Sequence, residues 1–157
     1  MNKYNHFENN VSDIIKTEVD QSKWKLIRKL HLPEKYNDSS AEEVKKGIVL
    51  DVEATGLSIG HDDVIQLALL PFEYEASSGK IIRINKDKAF NGMREPRVPI
   101  SEEASLITGI TNDMVINKTI DAKEVEKIIN NTDLVIAHNA GYDRPMVEQH
   151  WDCFKNV

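Results

Sequence analysis

Two short apolar runs, each closed by acid, set the tightest limit on how this chain can fold. The first reads Gly47-Ile48-Val49-Leu50-Asp51-Val52-Glu53-Ala54-Thr55-Gly56-Leu57. The second reads Leu134-Val135-Ile136-Ala137-His138-Asn139-Ala140-Gly141-Tyr142-Asp143. Runs of this length, rich in branched residues and ended by turn residues, read as buried strands. Side chains two apart on a strand face the same way, so Asp51 and Glu53 aim at one point. Asp143 ends the second run, where strand gives way to helix. Buried strands that carry acids to their carboxyl ends are how an open α/β sheet builds a divalent-metal site. The pattern points to metal-assisted phosphodiester chemistry.

Composition narrows the mode of binding. With 157 residues the chain makes one domain at most. Aromatics are only 6%, which argues against a broad base-stacking surface, and the formal net charge of −6 argues against holding nucleic acid by bulk electrostatics. A nucleic-acid partner must therefore be gripped over a short stretch, through a local site and metal ions. The single cysteine, Cys153, excludes an internal disulfide and a cysteine zinc cluster, and fits a reducing compartment. No apolar stretch approaches the ~18 residues of a membrane span. Met1 to Asn10 is polar and lacks the apolar core of a secretory signal, so a cytoplasmic protein with no membrane contact is expected.

Residues 1–46 read as a helical extension and linker, and residues 47–157 as one globular unit. Val11, Ile14, Ile15 and Val19 recur at helical spacing. Lys23, Lys25, Arg28, Lys29 and His31 make the following stretch basic, either as a solvated helix face or as a contact for nucleic acid or a partner. Glu34 to Lys46 is polar. From Gly47 the expected order is a strand over Gly47–Val52, a strand over Val64–Phe72, a turn at Ser77-Ser78-Gly79, and a third strand over Lys80–Asn91. Pro96 and Pro99 mark an irregular crossing. Ser101 caps a short helix that Thr108-Gly109 ends, Thr111 or Asn112 caps a further turn, and a helix starts at Asp121. Thr132–Ala137 is the fourth strand, and Asp143-Arg144-Pro145 opens the last helix, with Pro145 in its first turn. The fold class is α/β: strands one to three form an antiparallel meander, and strand four lies parallel beside strand one through a helical crossover.

Three motifs together resemble a known family. Asp51-Val52-Glu53-Ala54-Thr55-Gly56-Leu57 is similar to the first motif of DEDD-family 3′–5′ exonucleases, Asp-x-Glu-x-Thr-Gly-Leu. His138-Asn139-Ala140-Gly141-Tyr142-Asp143 is similar to the second, His-Asn-Ala-x-Phe/Tyr-Asp. Between them, Thr108-Gly109-Ile110-Thr111-Asn112-Asp113-Met114 resembles a helix of the DnaQ-like branch, which includes the epsilon proofreading subunit of bacterial DNA polymerase III. The resemblance covers about residues 47–150. It implies a ribonuclease-H-like mixed sheet with flanking helices. It also implies two Mg²⁺ or Mn²⁺ ions, roughly 3.5–4 Å apart. Asp51 would bridge them, Glu53 would bind one and reach the terminal 3′-OH, and Asp143 would hold the second. Ala54, Thr55 and Gly56 lie where the family grips the terminal nucleotide, Leu57 would wedge against the terminal base, and Asn139 and Tyr142 would line the groove. The implied function is 3′–5′ hydrolysis of a single-stranded or frayed 3′ end to nucleoside 5′-monophosphates. DNA is favoured over RNA, with a DNA polymerase as a partner.

Other readings of the same residues stand beside this one. Asp143 could be a helix N-cap, Asn139 could serve loop backbone groups, and Leu57 and Tyr142 could be core residues. His138 reads as an orienting histidine rather than a base. The family's third motif, His-x4-Asp, supplies a histidine base and a fourth carboxylate. Here the only histidine after Asp143 is His150, and Lys155 stands five residues on, so that motif is absent. The chain is therefore expected to be the N-terminal portion of an exonuclease domain, with impaired hydrolysis and an uncovered apolar patch around Val49, Leu67, Leu69 and Val135. The alternative functions are a nuclease-like module that binds without cutting, or an RNA-directed exonuclease of the oligoribonuclease and RNase T type. A haloacid-dehalogenase-type phosphatase is excluded, because Gly56 follows Thr55 instead of preceding it and the second acid is Glu53.

Overall fold

The computed structural model describes residues 31, 33, 35–38 and 43–157. The chain divides into two compact units, Met1–Leu32 and Pro33–Val157. The helix read over Val11–Val19 and the basic stretch Lys23–Lys29 lie outside the described residues. Among the described residues the second unit contains five strands: β1 (Val44–Ala54), β2 (Val64–Glu75), β3 (Ile81–Ile84), β4 (Phe90–Met93) and β5 (Leu134–Ala137). Its helices are α1 (Glu102–Thr108), α2 (Asn112–Val115), α3 (Ala122–Ile129) and α4 (Ala140–Glu148), with 3-10 turns at Lys86–Lys88 and Asp152–Asn156. No helix among the described residues is long and apolar enough to cross a membrane.

The sheet order is β3-β2-β1-β5, with β4 also paired to β2. β1 and β2 run antiparallel from Val44↔Glu75 to Glu53↔Gln66. β5 lies parallel to β1, from Gly47↔Leu134 to Leu50↔Ala137, as expected of a strand that returns through helices. β1 begins at Val44, ahead of the expected Gly47. Residues 35–38 run along the outer edge of β3, where Lys35 bridges Arg83 and the Tyr36 amide donates to Ile82 O at 2.8 Å.

The expected third strand, Lys80–Asn91, is two strands with a 3-10 turn between them. Pro71 explains the break. Proline has no amide to give a neighbouring strand. Opposite it the ladder stops: β3 pairs with Phe72–Tyr74, β4 pairs with Gln66–Leu69, and Asn85 N donates to Pro71 O at 2.8 Å. The charged Lys86-Asp87-Lys88 turn spans the gap.

The helices start and stop where local chemistry dictates. Ser101 accepts from Ala104 N at 3.1 Å and Asp121 from Lys123 N at 2.9 Å, satisfying amides at the starts of α1 and α3. Gly109 ends α1 in the left-handed conformation, φ 72°, which costs glycine little. Thr111 holds the N-cap position of α2 without a side-chain bond, while Asn112 turns back to Ile100 N and O. α4 departs from expectation. It starts at Ala140 with Asn139 at the N-cap, so Asp143 is not the cap and Pro145 lies beyond the first turn.

One face of the sheet is covered over most of its area. Ile48, Leu50, Val52, Leu67 and Leu69 pack against Val125 and Ile129 of α3, Met146 and Val147 of α4, and Trp151 and Phe154. A second cluster joins Ile65 to Ile100, Ala104, Ile110 and Val115. The apolar patch expected around Val49, Leu67, Leu69 and Val135 does not exist as one surface. Leu67 and Leu69 are buried, and Val135 packs partly against the same core. The register explains this: Leu67 and Leu69 pair with Val52 and Leu50, so they share the covered face. Val49 belongs to the opposite face and is 43% exposed beside Ile136, at 44%.

Candidate active site

β1 carries Asp51 and Glu53 on the face opposite its core residues Leu50 and Val52. A register shift between Glu53 and Ala54 breaks the ladder with β2 there. Such bulges bend a strand and re-aim its side chains. The chain then enters the Thr55–Leu57 turn, which a dense set of bonds holds. Thr55 N donates to Asp63 O at 2.9 Å, and Asp63 N donates to Thr55 Oγ1 at 2.9 Å. Thr55 Oγ1 donates to Asp62 Oδ1 at 2.9 Å, and the other Asp62 oxygen accepts from Ser58 N at 2.7 Å. Gly56 is required here, because a β-carbon on it would stand 2.5 Å from the Asp62 carboxylate.

α4 closes the site from the other side. Asp143 is buried, and its Oδ2 accepts the Asn139 amide at 3.1 Å. The Tyr142 hydroxyl donates to Gly56 O at 2.7 Å, tying the second motif to the turn of the first. A cavity of about 370 Å³ opens between the turn and α1. Ala54, Thr55, Gly56, Leu57 and Tyr142 line it together with Glu53. Asn139 does not line it and stands exposed at the N-cap of α4. Leu57 is 85% exposed, so it is no core residue. Tyr142 packs partly against the main core and also faces the cavity.

The acids form one electrostatic unit. Burial and the charge of Asp51 push the Glu53 carboxyl above its ordinary range. Burial raises Asp143 as well; the Asn139 amide bond and His138 oppose this, and the Asp51 charge adds to it. The Tyr142 phenol is raised by burial and by Asp62, Asp143 and Glu53. Asp51 is thus the charge that both Glu53 and Asp143 feel. Among the described residues, no three His, Cys, Asp or Glu side chains close to the spacing of a metal-ligand set. Mutual repulsion of the like charges opposes closer approach. The donor set still suits a hard divalent ion. Asp51 and Glu53 accept no side-chain hydrogen bond from the described residues, and Asp143 commits one oxygen. Free carboxylate oxygens with an uncompensated charge are what Mg²⁺ and Mn²⁺ prefer.

This repulsion has a measurable consequence. A carboxyl raised in the fold costs stability when ionised. The cost is absent where it is protonated in both states, and it grows as pH rises through the carboxyl range. Glu53→Gln should therefore raise the melting temperature at pH 7 in a chelator by roughly 1–3 °C. The gain should vanish near pH 3. Melting followed by circular dichroism tests this, and a lower melting temperature for the variant at pH 7 would count against the repulsive cluster.

A second constellation was not visible in the sequence. Asp63 is fully buried, and its carboxylate takes four donors. Arg94 Nη1 lies at 2.8 Å and His150 Nε2 at 2.6 Å from Oδ1, while Arg97 N lies at 2.7 Å and its Nε at 3.1 Å from Oδ2. Arg94 Nη1 also reaches His150 Nδ1 at 3.0 Å. Burial and the Arg94 charge lower the imidazole below its usual range, which fits a neutral ring donating from Nε2 and accepting at Nδ1. His150 is therefore committed to Asp63. No local pattern links these four residues.

A family model described as Exonuclease matches residues 48–156. The chain belongs to this exonuclease family. Within the exonucleases it is DnaQ-like. Similar curated proteins are PolC-type DNA polymerases III. The one from Bacillus subtilis (strain 168) is 36% identical over 102 residues, covering 61% of this chain and 6% of the polymerase. The one from Listeria monocytogenes is 35% identical over 126 residues, covering 77% of this chain and 8% of the polymerase. The exonuclease chain thus spans less than a tenth of these relatives. Among solved structures, exonuclease I matches with a TM-score of 0.53 at 16% identity, over 66% of this chain and 23% of that one. That likeness shows the shared ribonuclease-H-like fold.

Proposed function

We propose that this chain carries the 3′-end-binding and metal-binding part of a 3′–5′ exonuclease acting on DNA. One observation carries the reading: the charge of Asp51 acts on both Glu53 and Asp143, beside a cavity walled by Thr55, Leu57 and Tyr142. Asp51, Glu53 and Asp143 would hold two divalent cations, with Asp51 shared. Such ions, when bound, activate water and neutralise charge on the scissile phosphate. The chain's own residues do the rest. The apolar Leu57, standing free of the core, presses on the terminal base. Backbone groups at Ala54 and Thr55 hold the terminal nucleotide, and Glu53 faces its 3′-OH. Tyr142 keeps the two motifs together through Gly56 O. The PolC-type relatives are named as DNA polymerases, which supports DNA as substrate and a polymerase context.

The test uses a 5′-labelled single strand with the chain in Mg²⁺ or Mn²⁺. The expected result is a ladder shortening from the 3′ end, release of nucleoside 5′-monophosphates, and no reaction in chelator. Products with 3′-phosphates, or equal cutting of a 3′-blocked strand, would overturn the reading. The alternative reading is a module that binds a 3′ end without cutting it. Tight binding with no hydrolysis in either metal would support that reading.

A further inference from the structure

The Thr55–Leu57 turn is held from two sides. On one side Tyr142 bonds Gly56 O. On the other, Thr55 exchanges two hydrogen bonds with Asp63, so the place of Asp63 sets the place of Thr55. Asp63 is in turn set by elements far apart in the chain. Arg94 follows β4, Arg97 lies in the crossing before α1, and His150 follows α4. Their four donors fill the four acceptor positions of an ionised carboxylate. An asparagine here would turn an amide N–H₂ towards donors on one side. Nothing in the carboxylate cluster requires this arrangement, since Asp51 and Glu53 are placed by β1 and Asp143 by α4.

We propose that Asp63, clamped by Arg94, Arg97 and His150, is a positioning residue that fixes the Thr55–Leu57 turn for the 3′-terminal nucleotide. The inference rests on the exonuclease reading above. A turn already fixed in its binding shape pays little ordering cost when the strand end seats. A turn released on one side pays that cost on every encounter. Affinity for the strand end falls, while the carboxylates keep their metal.

The experiment measures binding of a 5′-dye-labelled single strand with a free 3′-OH to chain 1–157, by anisotropy in Ca²⁺. Mn²⁺ binding is followed by electron paramagnetic resonance. Asp63→Asn and Arg97→Gln should each raise the Kd for the oligonucleotide about ten-fold. Mn²⁺ affinity should stay unchanged, and shifted amide resonances should concentrate at residues 55–57. Arg97→Lys should recover part of the loss. Because the Arg97 side chain is 64% exposed, its variant should fold even if Asp63→Asn does not. A direct phosphate contact by Arg97 would instead lower the salt slope by about one, and that result overturns the positioning role. So does an unchanged Kd with a lowered melting temperature, which would leave Asp63 a packing role alone. If the wild type binds Mn²⁺ but captures no oligonucleotide, the exonuclease reading fails first and this inference falls with it.

Discussion

Asp51→Asn will weaken Mn²⁺ binding at least ten-fold and abolish trimming of a 3′ end. Asp51 lies on the exposed face of β1 and takes no side-chain hydrogen bond from the described residues. Its charge is nonetheless felt by Glu53 and by the buried Asp143. In the proposed site a group in that position would serve two ligand sites at once. Loss of groups merely supporting a metal site costs about 10–100-fold in affinity or activity. Loss of a shared ligand should reach at least that, and removal of charge stabilisation at the phosphate adds roughly 10²–10³-fold in rate. The fold should survive, since the side chain packs against nothing in the core. Titration of Mn²⁺ by electron paramagnetic resonance, with Asp152→Asn as a control, decides it. Equal affinities for wild type and Asp51→Asn would remove Asp51 from the metal site.

Asp63→Ala will be the most destabilising single substitution among the acids. The carboxylate is fully buried and anchors two guanidinium groups and an imidazole. Removing it leaves Arg94, 21% exposed, and His150, 11% exposed, without their acceptor. Breaking a buried pair from one side costs about 3 kcal/mol or more, or roughly 10 °C in melting temperature. The exposed Arg144–Glu148 pair offers the contrast: it sits on the surface of α4, and its loss should cost under about 1 kcal/mol. Acid should erase the difference. Burial pushes the Asp63 carboxyl up, but the Arg97 hydrogen bonds and the Arg94 charge more than offset it, leaving it below its usual range. A depressed carboxyl contributes stability above its unfolded value, lost as pH falls through the folded one. The gap between wild type and Asp63→Ala should therefore be full at pH 6 and shrink below about pH 4. Thermal melts across that range test it, and a gap that persists at pH 2 would show that packing, not charge, holds the cluster.

Local chemistry made much of the fold legible. Alternation along β1 put Asp51 and Glu53 on one face, because a strand's period of two is a property of the backbone alone. Ser101, Asp121 and Gly109 marked helix ends through bonds or conformations confined to a few neighbouring residues. Pro71 was also in plain view, but its effect was not. It broke not its own strand but the one beside it, and only the pairing revealed which strand that would be.

The site divides along the same line. The sequence determined which acids face together on β1, and the second motif pointed to Asp143. That the charge of Asp51 reaches Asp143 depends on the parallel pairing of β1 with β5, a contact across the whole crossover. A different pairing, the antiparallel ladder of β1 with β2, placed Leu67 and Leu69 on the covered face, with Val49 on the other. The Asp63 clamp came wholly from tertiary structure. Its four members sit in a strand start, a strand exit, a crossing loop and a helix end, each unremarkable alone. A salt bridge has no period and no spacing rule, so only the folded chain, by bringing those four ends to one buried point, decides that Asp63 is ionised, satisfied and bound to the turn of the first motif.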